Sequence, residues 1–362
     1  MKFCFISPKS YPLFNPEINA TFGGAEVQMF LIASEIAKSS EHDVHAVTAD
    51  YGQEYCEKRG EITLWKGVNF NTNPLNQAFL LFKTLSRTDC DIYIQRTLTV
   101  VSGMIAVWCR LRNKKFIYMV AHDSETDGTH LVFRNPVSSF IAGLAFRLAH
   151  ILVVQSSTQM KNMEEKDLKP VLLRSGYPIP DNTVEKEDFI LWVGRSEDWK
   201  RPELFIRLAE DNPDFRFVMI CPSATNSPEL SMVIEEKARA VPNLEFIPFV
   251  PFSEIEGYFN RAKLFVNTST QEGFPNTFIQ AALAGTPILS MNVNPDGFLD
   301  EYRCGVCCED DYNCVNNSVK TLLSDNTIYD DYSRNAFIYA KNNYGIEDLS
   351  TLFLSMTNKL LK

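Results

Sequence analysis

The chain has 362 residues, 45% of them hydrophobic, with 35 Lys and Arg against 45 Asp and Glu, giving a formal net charge of -10. That length and apolar content fit two packed domains and exclude a disordered or fibrous polymer, and the acidic balance excludes a general affinity for nucleic acid. The 9 cysteines are odd in number and scattered, which fits reduced, mostly buried thiols rather than a disulfide framework.

From the amino end, apolar strand candidates alternate with helical patterns. Lys2 to Ser7 reads as a strand and Glu26 to Lys38 as a helix, with Met29, Ile32, Ala33, Ile36 and Ala37 at helical spacing and Val27, Phe30 and Leu31 widening the apolar face. Val44 to Thr48, Asp91 to Gln95, Val100 to Arg110, Phe116 to Val120 and Ile151 to Gln155 continue the series. The alternation is the mark of an α/β domain with a parallel sheet and crossover helices. No secretory leader pattern and no transmembrane-length apolar run interrupts it, so the expectation is a soluble, cytoplasmic protein. The cluster Arg110, Arg112, Lys114 and Lys115 reads either as a solvated helix end or as a patch for an anionic acceptor or a peripheral contact with the inner membrane face.

Proline, glycine and polar residues gather at Arg174 to Asn182, ahead of the charged stretch Glu185 to Asp188, and mark a domain linker. The alternation restarts with Phe189 to Val193, Glu203 to Ala209, Arg216 to Ile220, Glu229 to Ala240, Leu244 to Ile247, Phe252 to Asn260 and the strand at 262–267. From Val315 onward the pattern turns mainly helical, and Leu349, Phe353, Met356 and Leu360 form the stripe of a last helix. The expected architecture is two Rossmann-like, doubly wound parallel-sheet domains facing a cleft, over residues 1–175 and 183–345, with 346–362 rejoining the first.

Ligands of open parallel sheets bind outside the carboxyl ends of the strands, and polar groups recur just there: Gln95 and Arg96, His122 and Asp123, Gln155 and Ser156, Gly194 and Arg195, and Ser269 to Glu272. The most telling stretch runs from Glu272 through Gly273, Phe274, Pro275, Asn276 and Thr277 to Gly285 and Pro287: an acidic loop, a proline-started helix and a glycine stop. Its first helical turn would offer the N–H groups of Asn276 and Thr277 to an anion. Arg195 and Lys200 follow the second domain's first strand and read either as solvated helix-entry charges or as a pair converging on a diphosphate, the arginine as a fork and the lysine as a point charge. Gly23 and Gly24 stand before the first helix and read equally as a plain turn or as a loop approaching phosphate. His122 is the histidine best placed for the cleft, against a purely structural role. Cys304, Cys307 and Cys308 lack a second ligand pair nearby, and no Asp-x-Asp pair stands out, so no metal is expected.

Taken together, Gly23-Gly24-Ala25-Glu26, His122-Asp123, Val193-Gly194-Arg195 with Lys200, and Glu272-Gly273-Phe274-Pro275 running into Ala284-Gly285-Thr286-Pro287 resemble the family 4 glycosyltransferases, retaining enzymes of the GT-B fold that use nucleotide sugars. The resemblance covers nearly the whole chain. It implies that Glu272 touches hydroxyls of the donor sugar, that Arg195 and Lys200 hold its diphosphate, that the Gly23-Gly24 loop closes over the phosphates, and that His122 lies near the transferred sugar and the acceptor. It further implies a metal-independent transfer with no cofactor beyond the nucleotide-sugar donor, a saccharide or lipid-linked acceptor near Arg96, His122 and Asp123, and a role in cell-surface polysaccharide assembly. One position departs from the pattern: the second glutamate expected on the ribose is Gln280, which keeps hydrogen bonding but loses charge assistance. That departure keeps open a catalytically silent nucleotide-sugar or carbohydrate binder of the same fold, alongside a nucleotide-sugar epimerase.

Overall fold

The computed structural model describes residues 1–18, 20–180, 184–224 and 227–360. The chain divides into two compact units, Met1–Tyr177 with Ile346–Lys362, and Pro178–Gly345. Asp181 and Asn182, the end of the expected linker, lie outside the described residues.

The first unit contains, in chain order, β1 (Lys2–Ile6), α1 (Tyr11–Phe14), α2 (Gly24–Ala37), β2 (Asp43–Ala49), β3 (Cys56–Arg59), β4 (Ile62–Val68), α3 (Pro74–Thr88), β5 (Ile92–Arg96), α4 (Val100–Leu111), β6 (Lys115–Met119), α5 (Ser124–Asp127), α6 (Pro136–Leu148), β7 (Ile151–Val154), α7 (Ser157–Glu164) and β8 (Pro170–Leu172). Its eight-stranded sheet has the order β3-β4-β2-β1-β5-β6-β7-β8. Neighbours are parallel except the antiparallel β3–β4 pair at the edge. The central strands are buried along nearly their whole length, as strands covered by helices on both faces must be.

The second unit runs β9 (Phe189–Val193), α8 (Pro202–Glu210), β10 (Arg216–Ile220), α9 (Pro228–Arg239), β11 (Leu244–Ile247), α10 (Phe252–Arg261), β12 (Leu264–Asn267), α11 (Asn276–Leu283), β13 (Ile288–Ser290), α12 (Phe298–Glu301), β14 (Gly305–Cys307), α13 (Tyr312–Ser324) and α14 (Asn326–Tyr344), after which α15 (Ile346–Asn358) returns to the first unit. Its six strands are all parallel, in the order β11-β10-β9-β12-β13-β14. The order reverses between β9 and β12, the crevice where open sheets of this type take their ligands.

The α/β alternation expected from the sequence is present, with shifts at element ends. Pro275 is the N-cap of α11 and not its first helical residue, because its ψ of 126° is extended. The helix ends as anticipated: Gly285 has φ of +61°, Thr286 N donates to Ala281 O at 2.8 Å and Gly285 N to Ala282 O at 2.9 Å, the paired closure that favours glycine at this position. On α15 the buried line is Ile346, Ser350, Phe353 and Thr357; Leu349 and Met356 are only half-buried and Leu360 falls beyond the helix. The stripe is rotated because Phe353 seats against Phe3 and Phe5 of β1, with ring centroids 6.3 and 6.5 Å apart.

The cysteines need one correction. Cys308 and Cys314 are joined in a disulfide, their Cα atoms 5.5 Å apart, because the turn into α13 folds the chain back on itself within 6 residues. Cys4, Cys90, Cys109, Cys221 and Cys304 are buried thiols, as expected. Among the described residues, no three Cys, His, Asp or Glu side chains gather into a metal-binding group, and no helix is long and apolar enough to cross a membrane.

Candidate functional site

In the second unit the site is built on two adjacent central strands. The loop after β9 carries Gly194 to Arg201 and the loop after β12 carries Thr268 to Pro275, and a ladder of hydrogen bonds ties them together. Thr270 N donates to Trp199 O at 2.9 Å, Thr268 Oγ1 to Lys200 O at 2.6 Å, and Trp192 Nε1, rising from β9, to Thr268 Oγ1 at 2.9 Å. Arg201 locks the corner. Its backbone is left-handed, φ of 49°, and Pro202 begins α8 directly after it. A non-glycine residue holds that conformation only when its surroundings insist on it. Here the Arg201 guanidinium donates to Thr268 O at 2.7 Å and pairs with Asp310 at 2.5 Å.

The corner brings Lys200 against Glu272. Their charged groups are in direct contact, with side chains 16% and 12% exposed. Glu272 Oε1 also accepts from Ser269 Oγ at 2.8 Å and from Asn267 Nδ2 at 3.5 Å. All of these contacts fall on one carboxylate oxygen, so Oε2 has no protein donor among the described residues. Lys200 Nζ stands 4.3 Å from the centre of the Trp199 ring, a desolvated cation–π contact that fixes the ammonium from the other side. Trp199 Nε1 donates to Glu197 Oε2 at 2.6 Å, and Glu197 Oε1 pairs with Arg195 at 3.0 Å. Arg195, Glu197, Trp199, Lys200 and Glu272 thus form one connected chain of side chains. The sequence reading placed Arg195 and Lys200 side by side as two cations; in the structure each already holds a carboxylate.

At the end of the same loop α11 begins after Pro275, whose side chain makes no capping hydrogen bond. Phe274 is packed between Phe298 and Tyr344, at 5.5 and 5.1 Å, and so anchors the loop. Gly273, Asn276, Thr277 and Gln280 are all half-buried. The Gln280 amide makes no hydrogen bond with the described residues.

The first unit gathers its polar groups at the carboxyl ends of β5, β6 and β7. Arg96 donates to Gln155 Oε1 at 2.7 Å and to Ser175 Oγ at 3.2 Å, while its buried Nε has no partner among the described residues. Burial pushes the guanidinium down to about 10, against the opposing pull of Glu125 and Glu26 nearby. Glu125 is fully buried and burial pushes its carboxyl up to about 7, although the Tyr118 hydroxyl at 2.7 Å, the N–H groups of Leu98 and Ala121 at 3.4 Å, and Arg96 all favour the ion. Glu125 N also donates to His122 O at 3.1 Å. His122 is exposed, and Asp123 Oδ1 accepts from Gln159 Nε2 at 2.8 Å.

The glycine pair stands at the amino end of α2. Gly23 is the N-cap of α2 and its N–H donates to the Glu26 carboxylate at 2.9 Å. A side chain of this helix's own first turn therefore already places negative charge at that amino end. Gly176, in the expected linker, is also committed: it exchanges two hydrogen bonds with the Gln28 side chain, at 2.8 and 3.1 Å, and a Cβ there would meet Leu349 and Ile346 of α15. Sequence reasoning missed Glu125, Glu197, Trp199 and Arg201. Glu197 and Trp199 lie between Arg195 and Lys200, the two residues already singled out, and Pro202 marked a helix start without showing that Arg201 before it is left-handed.

Residues 179–339, nearly all of the second unit, match the family model described as "Glycosyl transferases group 1". Over 279 residues the chain is 22% identical to a Campylobacter jejuni alpha-1,4-N-acetyl-D-galactosaminyltransferase that acts on a diNAcBac-PP-undecaprenol-linked glycan, covering 72% of this chain and 73% of that protein. Among solved structures, sucrose-phosphate synthase from Thermosynechococcus elongatus superposes with a TM-score of 0.79 at 15% identity, covering 100% of this chain and 99% of that one. Anabaena HepE in complex with UDP-glucose gives 0.75 at 15% identity, over 99% of this chain and 100% of that one.

Proposed function

We propose that this chain, a glycosyltransferase of the GT-B fold, moves a sugar from a nucleotide-diphosphate donor to a saccharide or lipid-linked acceptor with retention at the anomeric carbon, and that Lys200 and Glu272 are the centre of its donor site. The observation that carries the reading is the Lys200–Glu272 contact at the switch point of the second sheet, with the amino end of α11 beside it. Similarity supports the substrate class: HepE was solved with UDP-glucose, and the Campylobacter relative extends an undecaprenol-linked glycan.

Transfer requires a diphosphate to leave with its electrons, and the charge that develops must be met by groups already in place. In this reading Arg195 forks onto the phosphates, Lys200 turns its point charge toward them, and the α11 amino end adds its dipole. Glu272 serves the sugar through Oε2, accepting from its hydroxyls. The existing ion pairs have a further consequence: before donor arrives, Glu197 and Glu272 hold the cations in position, so little side-chain entropy remains to be lost on binding. On the acceptor side, His122 and Arg96 face the incoming hydroxyl's surroundings. The transfer proceeds without a metal, and the departing diphosphate itself takes the acceptor's proton. A role in cell-surface polysaccharide assembly belongs to the same reading.

A panel of UDP-, GDP- and ADP-sugars in thermal shift identifies the donor, since a ligand that binds only the native state raises its melting temperature. Nucleoside diphosphate release on adding acceptor then tests transfer. If no nucleotide sugar stabilises the protein, or if Lys200→Ala binds and transfers as the wild type does, the proposal fails.

A further inference from the structure

Helices α3, α4 and α6 cover one face of the first unit's sheet. Leu81 and Leu85, Ile105 and Cys109, and Ala142 and Phe146 share a core with the sheet residues beneath them. Neighbouring helices touch: Gly103 of α4 lies so close to α6 that a Cβ would strike the Ile141 carbonyl, and Phe82 of α3 stands 6.3 Å from Trp108 of α4. The outer surface of this layer is unusual in two ways. It exposes Leu75 at 83%, Phe79 at 69%, Met104 at 36%, Leu111 at 81%, Val137 at 68% and Phe140 at 65%. It also contains no Asp or Glu in any of the three helices, within a chain that has 45 of them.

The charges that the layer does carry are Lys83, Arg87, Arg110 and Arg147, continued by Arg112, Lys114 and Lys115 beyond α4. Lys114 is paired with Asp89 at 2.8 Å; the others in this group make no ion pair among the described residues. A water-facing helix layer in an acidic protein ordinarily mixes both signs. Large exposed apolar side chains and cations on one helix layer, with no carboxylate within the three helices, match the boundary between acyl chains and anionic headgroups. A second copy of the chain fits less well, because it would set the same cations against themselves.

We propose that the α3–α4–α6 layer docks on a bilayer bearing anionic headgroups, with the apolar side chains entering the boundary and the cations meeting the lipid phosphates. The three helices start at the carboxyl ends of β4, β5 and β6, the edge that also carries Arg96 and His122, and Leu75, Phe79, Val137 and Phe140 lie in their amino-terminal halves. A lipid-anchored substrate in that bilayer is thereby presented to the edge where the first unit's polar groups gather. The docking stands apart from the donor chemistry and is read without any nucleotide.

Flotation with phosphatidylcholine vesicles, with and without about 30% phosphatidylglycerol, tests it. The full chain is expected to float with the anionic vesicles, to be released by salt, and to bind neutral vesicles at least ~10-fold more weakly. Combining Leu75→Glu, Phe79→Glu and Phe140→Glu is expected to weaken anionic-vesicle binding by at least ~10-fold while leaving the melting temperature and its rise with nucleotide sugar unchanged. Failure of the wild type to float, or equal flotation of the triple variant, overturns the proposal. So does a wild-type dimer in light scattering that the triple variant converts to monomer, because the face would then belong to a second copy. A null result here with nucleotide-sugar stabilisation intact removes the docking and leaves the proposed transfer standing.

Discussion

At the carboxyl edge of the second unit's sheet a lysine and a glutamate touch, whereas at the same edge of the first unit an arginine and a glutamate lie near one another without forming an ion pair. The difference shows how placement decides what a charge can do. Lys200 and Glu272 keep some contact with solvent and neutralise each other, an arrangement a charged ligand can enter by exchanging partners. Glu125 is buried and Arg96 half-buried, and their partners are mostly neutral: Arg96 donates to Gln155 and Ser175, and Glu125 accepts from Tyr118 and backbone N–H groups. Desolvation therefore dominates, holding the arginine down and the glutamate up. The first arrangement suits exchange with substrate; the second holds the polypeptide around His122 in a fixed shape.

Breaking the second unit's arrangement should have the largest effect. Lys200→Ala removes a preorganised cation and leaves Glu272 without its ion-pair partner, so turnover should fall by roughly 10²–10³. Arg195→Ala should approach that loss, and single-turnover rates measured at saturating donor separate the chemical step from binding. A Lys200→Ala and Glu272→Ala double variant that loses no more than either single change would show that the two act as one unit.

In the first unit the comparison is tested through stability. Glu125→Ala leaves the Tyr118 hydroxyl and two backbone N–H groups without their acceptor inside the core and should cost about 2–4 kcal/mol in denaturant unfolding. The sign of its pH dependence follows from the raised carboxyl. Between the ordinary carboxylate range and about 7 the folded chain holds a proton that the unfolded chain has released, so stability is greatest at the acid end of that window and declines as pH rises through it. Glu125→Gln should flatten this decline. Arg96→Met should carry its midpoint upward, because a group that favours the carboxylate is gone. A melting temperature that rises over the same window would reverse the assignment.

The smallest expected effect concerns Gln280. Its amide has no protein partner among the described residues, so Gln280→Glu adds charge assistance without breaking a native contact. Nucleotide binding should tighten by about 1 kcal/mol with turnover unchanged, as calorimetry would show. A large loss of affinity would mean that Gln280 serves another purpose.

The α/β alternation, the parallel sheets and the position of the Glu272 loop were legible in the chain itself, because apolar runs of strand length, helical spacing, proline starts and the glycine stop at Gly285 are local properties. Where the reading slipped, a contact that the apolar pattern does not encode had decided the outcome, in one case with a neighbour distant in sequence and in the other with a residue one turn away. Phe353 turned the stripe of α15 by packing on β1, and the loop into α13 brought Cys314 onto Cys308. Spacing identifies which residue types stand at the strand ends; which of them become partners is settled only when loops from separate strands meet. Lys200 and Glu272 are 72 residues apart, and no periodicity couples them until β9 and β12 lie side by side.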